Sequence, residues 1–308
     1  MTEIAIMLEG QNGLNWTRWQ RIAQAVEDLG FAGLYRSDHF TNSSAPDIDS
    51  LELWVSLTWL ASHTKRIEFG PLVSPVSFRH PTFTARMASA VDDLSNGRLT
   101  LGLGAGWQER EHNNFGFDLL NVPERMDRFE EGLGVITRLL RSDSAVEFMG
   151  TYYQLDDAIL LPRPQRPGGP PICIGGNGIK RTLPLVAKYA DEWNAIFVPT
   201  GKYAKLNAHL DNLIMSQGRQ PSEVRRSMMT GITFGADSTE LDQKVAQRTK
   251  GKGTAEQLRQ RGRIVGTSSE IADQLGELAE AGLQRVMLQW LDLDDLDGLE
   301  TLAKGILG

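Results

Sequence analysis

Two short segments join titratable side chains to the ends of strand-like runs. In AGLYRSDHF, Asp38 and His39 follow the apolar stretch directly. An imidazole beside a carboxylate at a strand end can donate a hydrogen bond or shuttle a proton near neutral pH. Asp38 could equally cap the following turn and leave His39 to pack. In GPLVSPVSFRHP, Gly70, Pro71 and Pro75 stop a strand and force irregular backbone where a ligand would sit, and Arg79 and His80 follow. A stiff turn into a helix at Pro81 accounts for that pair equally well.

Two glycine clusters add bare backbone. Gly104, Ala105 and Gly106 precede Trp107, an indole able to stack on a planar ring. Small residues there also suit close packing. Gly175, Gly176, Asn177 and Gly178 lead toward a helix, and free N–H groups at a helix start favour an anion such as phosphate; a plain strand-to-helix turn is the alternative. The segment from Arg248 to Arg263 carries six Lys or Arg residues against Glu256 alone, with Gly251, Gly253 and Gly262 as hinges. It reads either as a solvated basic loop or as a lid over an anionic ligand.

Composition removes other chemistries. Cys173 is the single cysteine, so an internal disulfide is impossible and a thiolate zinc site lacks ligands. It lies in an apolar strand and reads as core rather than nucleophile. HExxH, GxxxxGK[ST] and GxSxG are absent, and no metal site is expected. A net charge of −7 and a pI near 5.4 argue against nucleic acid as a partner. No apolar run reaches the roughly 18 residues of a membrane span, and the N-terminus lacks a signal pattern, so no membrane partner and a reducing, cytoplasmic setting are expected.

The elements that position these residues follow a βα rhythm. Strand-like runs start near Glu3, Ala32, Arg66, Arg98, Pro171, Glu192, Arg226 and Gln284, at spacings of 29, 34, 32, 73, 21, 34 and 58 residues. Most of these suit one βα unit. The predicted helices include one capped by Asn15 with Trp16, Trp19, Ile22, Ala23, Val26 and Leu29 on one face, one from Pro81 through Leu94 to the Asn96-Gly97 break, and others over 122–141 and 268–281. Eight units predict an α/β fold, a closed (β/α)8 TIM barrel forming one domain over 1–308. Insertions fall after the fourth strand, as a loop (about 107–121) and a hairpin (within 145–170), and after the seventh strand (248–265). An open doubly wound sheet would need GxGxxG after the first strand, whereas GLGAG reads GxGxG after the fourth.

The segments IAIMLEGQ, EDLGFAGLYRSDHF, GPLVSPVSFRHP, DDLSNGRLTLGLGAGWQEREHNNFG, FMGTYYQL, PICIGGNG and AKYADEWN occur in that order along the chain. Together they resemble the bacterial luciferase-like oxidoreductases, and SDHF is most similar to the branch that uses coenzyme F420, a deazaflavin, in place of FMN. The resemblance implies hydride transfer between F420 and a small organic substrate. His39, oriented by Asp38, would exchange the accompanying proton beside the ring. Leu72-Val73 would form a bulge, often a non-prolyl cis peptide, behind the ring. Gly104, Ala105 and Gly106 would approach the cofactor, and Gly175, Gly176, Asn177 and Gly178 would hold its phosphate. It also implies a homodimer, through the apolar segment Leu51 to Ala61. The family's deazaflavin-dependent sugar-phosphate dehydrogenases carry a catalytic glutamate where this chain has Trp107, which argues against a sugar phosphate and for a planar or apolar substrate. Glu109 or Glu9 could supply a carboxylate nearby. Alternatives are an FMN-dependent monooxygenase of the same fold and a non-catalytic flavin or deazaflavin carrier.

Overall fold

A computed structural model describes residues 2–307. Its strands are β1 (Glu3–Leu8), β2 (Gly33–Arg36), β3 (Glu68–Pro71), β4 (Ser74–Pro75), β5 (Leu101–Gly104), β6 (Val146–Met149), β7 (Gln154–Ala158), β8 (Ile172–Gly175), β9 (Glu192–Ile196), β10 (Arg225–Phe234), β11 (Ile264–Gly266) and β12 (Arg285–Gln289). The main sheet runs β3-β2-β1-β12-β10-β9-β8-β5-β4, with β11 beside the end of β10, and every pairing in it is parallel. β4 continues β3 beyond the Leu72–Val73 peptide, which is cis. Phe69 N–H donates to the Arg98 carbonyl at 3.1 Å and Thr100 N–H to the Phe69 carbonyl at 2.8 Å, which closes the ring between β3 and β5. The architecture is the expected TIM barrel.

Alternation along the strands sorts side chains into two cores. Outward residues pack on the helices: Trp19, Ile22, Ala23 and Val26 of the helix Trp16–Asp28 are fully buried, and Asn15 caps that helix by accepting from Arg18 N–H. Inward residues fill the barrel in layers. At the N-terminal end Arg285, 1% exposed, pairs with Glu3 at 2.6 Å and Glu68 at 2.7 Å and donates to the Tyr35 hydroxyl at 2.6 Å. Above it lie Met7, Leu72, Cys173, Met229 and Met287. Burial pushes the Cys173 thiol well above its ordinary pKa, so it is an inert core residue as expected.

The barrel seam depends on Gly70, where a Cβ would overlap the Thr100 carbonyl oxygen. Backbone on backbone cannot relax as a side chain can. Gly70→Ala is expected to destabilise the fold by about 3 kcal/mol, read as a lower urea midpoint; an unchanged midpoint would mean the seam opens freely.

Three sequence expectations change. Residues 107–121 are not all loop, because they hold the helix Glu109–Phe115. The basic segment is folded as well: the helix Ser238–Thr249 runs into it, and Ala255–Arg259 forms a second helix with a Thr254/Gln257 capping box. Leu241, Val245, Leu258 and Val265 share a small core beneath these helices. The apolar excess at Leu51 to Ala61 is largely used within the chain, since Leu53, Trp54, Leu57 and Leu60 are buried. Trp59 stacks on His63 at 4.1 Å, and Val55 is left exposed. The hairpin β6-β7 stands apart from the main sheet.

Candidate active site

The C-terminal ends of the barrel strands gather most of the residues singled out by sequence. Glu9 follows β1, Ser37 to His39 follow β2, Leu72 and Val73 link β3 to β4, Gly104 to Trp107 follow β5, and Gly175 to Gly178 close β8. In a barrel of this type that rim is where chemistry is built.

His39 is held by a carboxylate that sequence reading missed. Its Nδ1 lies 2.8 Å from Glu111 Oε1, and Glu111 Oε2 accepts from the Phe40 backbone N–H at 3.0 Å. The Glu111 side chain is 1% exposed and that of His39 17%. Burial opposes charge on the imidazole. The hydrogen bond that Nδ1–H donates to Glu111 and the fields of Glu111, Glu9 and Asp38 outweigh it and hold the His39 pKa above its ordinary value. Burial likewise works against the charge on Glu111, but His39 and the Phe40 and Gln108 hydrogen bonds pull its pKa down. The pair therefore favours imidazolium and carboxylate. Because Nδ1 is spent on Glu111, Nε2 is the nitrogen left for a ligand. The Trp107 indole, 63% exposed, meets the His39 ring edge-on at 5.6 Å.

Asp38 does not orient His39, contrary to expectation. Its Oδ2 accepts from the Ser74 hydroxyl at 2.8 Å and from Arg79 Nη1 at 2.5 Å, and Arg79 also reaches Glu52 at 2.8 Å. Asp38 ties the end of β2 to β4 and is 6% exposed. His80 caps the helix Pro81–Leu94. Arg79→Met strands a buried carboxylate and is expected to cost about 3 kcal/mol, seen in urea unfolding, while the His39 ring resonances keep their titration midpoint to within a few tenths of a unit. A large midpoint shift would restore Asp38 as the orienting group.

The glycine clusters have internal uses too. A Cβ on Gly104 would stand 2.6 Å from Val73 Cγ2, and one on Gly175 or Gly102 would stand 3.2 Å from Val73 Cγ1. Gly104 and Gly175 thus make room for the side chain after the cis bulge, while Gly102 is first required by the Pro71 carbonyl, which a Cβ would overlap. Gly106, at φ +84°, needs the left-handed region. The Asn177 carboxamide donates to the Ile196 carbonyl at 2.7 Å and accepts from the Ile196 N–H at 3.0 Å, so it fastens the turn to β9. Gly176 takes φ +129°, and the helix Thr182–Tyr189 beyond it starts with no side-chain cap. In the first turn Leu183 N–H already donates to the Gly178 carbonyl at 2.9 Å and Pro184 has no N–H, so Thr182 N–H is the amide left for an anion beside the turn. Glu9 accepts from Gln289 at 2.6 Å and from Gln11 at 3.0 Å, while Glu109 points out to solvent. Of the nearby carboxylates, Glu111 is the one that reaches the imidazole.

Among the described residues no cluster suits a metal ion, and no helix is long and apolar enough to cross a membrane. The site is thus a parallel (β/α)8 barrel with a carboxylate–imidazole pair, its carboxylate buried, at the C-terminal mouth. Residues 2–298 match the luciferase-like monooxygenase family, and the chain belongs to it. Similar relatives include an F420-dependent dehydrogenase and a monooxygenase. The F420-dependent hydroxymycolic acid dehydrogenase of Mycobacterium tuberculosis is 33% identical over 70% of this chain, a match that spans 58% of that relative's own length. The 4-hydroxyprotoasukamycin monooxygenase of Streptomyces nodosus is 26% identical over 94% of this chain and 84% of the relative. A solved F420-dependent secondary alcohol dehydrogenase bound to an F420-acetone adduct shares the fold, with a TM-score of 0.85 at 20% identity, covering 99% of this chain and 98% of the other.

Proposed function

We propose that the protein transfers a hydride between coenzyme F420 and a small organic substrate, with His39 managing the accompanying proton. The observation that carries this reading is the His39–Glu111 pair, which favours an imidazolium at the barrel mouth with Nε2 left for a ligand. The F420-dependent relative and the SDHF segment support the choice of cofactor.

The residues at the rim fit a planar ring. Val73, seated over Gly102, Gly104 and Gly175, would form its floor, and His39 and Trp107 would stand at one edge. The Gly176–Gly178 turn and the Thr182 N–H would receive a phosphate. Bound and reduced, the deazaflavin supplies the hydride at C5. His39 Nε2 would give a proton to the substrate oxygen or nitrogen in reduction and take it back in oxidation. Glu111 would keep the imidazole in one orientation and offset its charge throughout. Trp107 would cover a planar or apolar substrate and limit the approach of water.

Titrating the protein with coenzyme F420 and with FMN, followed by ligand fluorescence, tests the assignment. Selective deazaflavin binding is expected. Selective FMN binding, with oxygen uptake once the flavin is reduced, would instead establish the monooxygenase reading, which the Streptomyces nodosus relative favours.

A further inference from the structure

Arg263 stands where a ligand entering the mouth would meet it, and its side chain has no hydrogen-bond or ion-pair partner among the described residues. Its backbone is fixed: the Gly262 carbonyl accepts from the Thr230 hydroxyl at 2.5 Å, Arg263 N–H donates to the Leu258 carbonyl at 3.2 Å, and β11 follows at once. The side chain lies over Gly231, where an added Cβ would overlap Nη1. In β10 that position shares the inward face with Ser227 and Met229, and it pairs in register with Gln289, whose side chain holds Glu9 at the rim. The guanidinium carbon sits 4.9 Å from the centre of the Phe197 ring, at the end of β9. Around the barrel, β10 is three strands from β2, so Arg263 faces His39 across the opening.

This cation has no offset. Nη1 is buried without an acceptor, and no carboxylate among the described residues lies within ion-pair distance of the side chain. Glu270, the nearby acid on the following helix, is taken by Arg259 at 2.9 Å. Burial and the fields of Arg248 and Arg261 all disfavour the charge. A protein keeps a half-buried, unpaired guanidinium at a cost, and a planar fork stacked on an aromatic ring is already oriented for a two-oxygen acceptor.

We propose that Arg263, supported by Phe197 and Gly231, binds an oxyanion, either a carboxylate or a phosphate, of a ligand lying across the mouth from His39. The oxyanion belongs to the substrate or to the acidic end of the cofactor. The inference rests on the mouth being the ligand site, as argued above, but not on which cofactor fills it.

The test compares wild type with R263M and R263K, using calorimetry with inorganic phosphate and fluorescence titration with coenzyme F420 and with the deazaflavin riboside that lacks the phosphate. Malonate is then added to the deazaflavin-loaded proteins. Because Arg263 makes no bond that folding needs, R263M should melt at or above the wild-type temperature. If the oxyanion is the cofactor's, R263M weakens F420 binding by about tenfold or more, leaves riboside binding unchanged, and R263K recovers part of the loss. If it is the substrate's, both deazaflavins bind R263M normally, and the response of the loaded protein to malonate is lost. Wild type that binds phosphate through Arg263 but neither deazaflavin would uphold this inference and sink the cofactor assignment. R263M matching wild type with phosphate, F420 and malonate alike would overturn the inference and leave Arg263 a solvated surface cation.

Discussion

His39→Ala lowers turnover by about 10²- to 10⁴-fold, the usual contribution of a positioned acid or base, and changes the affinity for coenzyme F420 by less than about threefold. The asymmetry follows from the geometry. The imidazole stands at the edge of the mouth, with Nδ1 engaged by Glu111 and its ring roughly perpendicular to Trp107. The glycines under Val73 and the turn proposed to hold a phosphate lie on β5 and β8, around the rim from it. Removing the ring therefore leaves the binding surfaces in place and takes away the proton carrier. Single-turnover kinetics beside equilibrium titration separates the two effects. Equal turnover in the variant would place the proton on another group, and a parallel collapse of affinity would make His39 a binding residue.

Glu111→Gln carries the second large effect, and its direction can be worked out. In the wild type, burial lowers the His39 pKa, while the Glu111 hydrogen bond and charge, with Glu9 and Asp38, raise it further, so the net displacement is upward. The amide removes the largest opposing contribution and leaves the burial. The His39 pKa in E111Q then falls below its wild-type value. Substrate reduction needs the protonated ring, so activity declines as pH rises through that pKa, and the declining limb moves to lower pH in E111Q. Near neutrality the loss is about tenfold for each unit of displacement, and acidification restores part of it. A pH–rate profile that keeps its wild-type limb would reduce Glu111 to a packing residue.

The same pair links stability to pH. His39 has a raised folded pKa, so its contribution is complete below the unfolded value near 6.5 and is lost as pH rises through the folded pKa. Glu111 has a lowered folded pKa, so its contribution holds above the unfolded value and disappears as pH falls through the folded one. E111Q is thus expected to be less stable than wild type by about 1 to 3 kcal/mol near pH 6, and closer to it at alkaline pH. Urea unfolding at the two pH values reads that difference.

Much of this protein was legible in its residues because the signals are local. Alternation and 3.6-residue spacing mark strands and helices from neighbours alone, and Asn15, Pro81, Gly30 and Gly97 punctuate them. The count of βα units then implied a barrel, since right-handed crossovers leave few other ways to bury both faces of the sheet. Strand ends located the rim, and with it His39, Val73, Trp107 and the two glycine turns. The partners of those residues were not legible. Glu111 lies 72 residues from His39, in a segment read as loop, and what brings them together is the placement of the helix Glu109–Phe115 beyond β5. Asp38 is adjacent to His39 in sequence yet turned toward Arg79, because successive residues of an extended chain point to opposite sides. Arg263 is one of six cations in a basic run, and only the approach of Gly231 and Phe197 sets it apart. Periodicity declares which residues face a core or a rim, whereas the pairing of charges there depends on distances that only the closed barrel imposes.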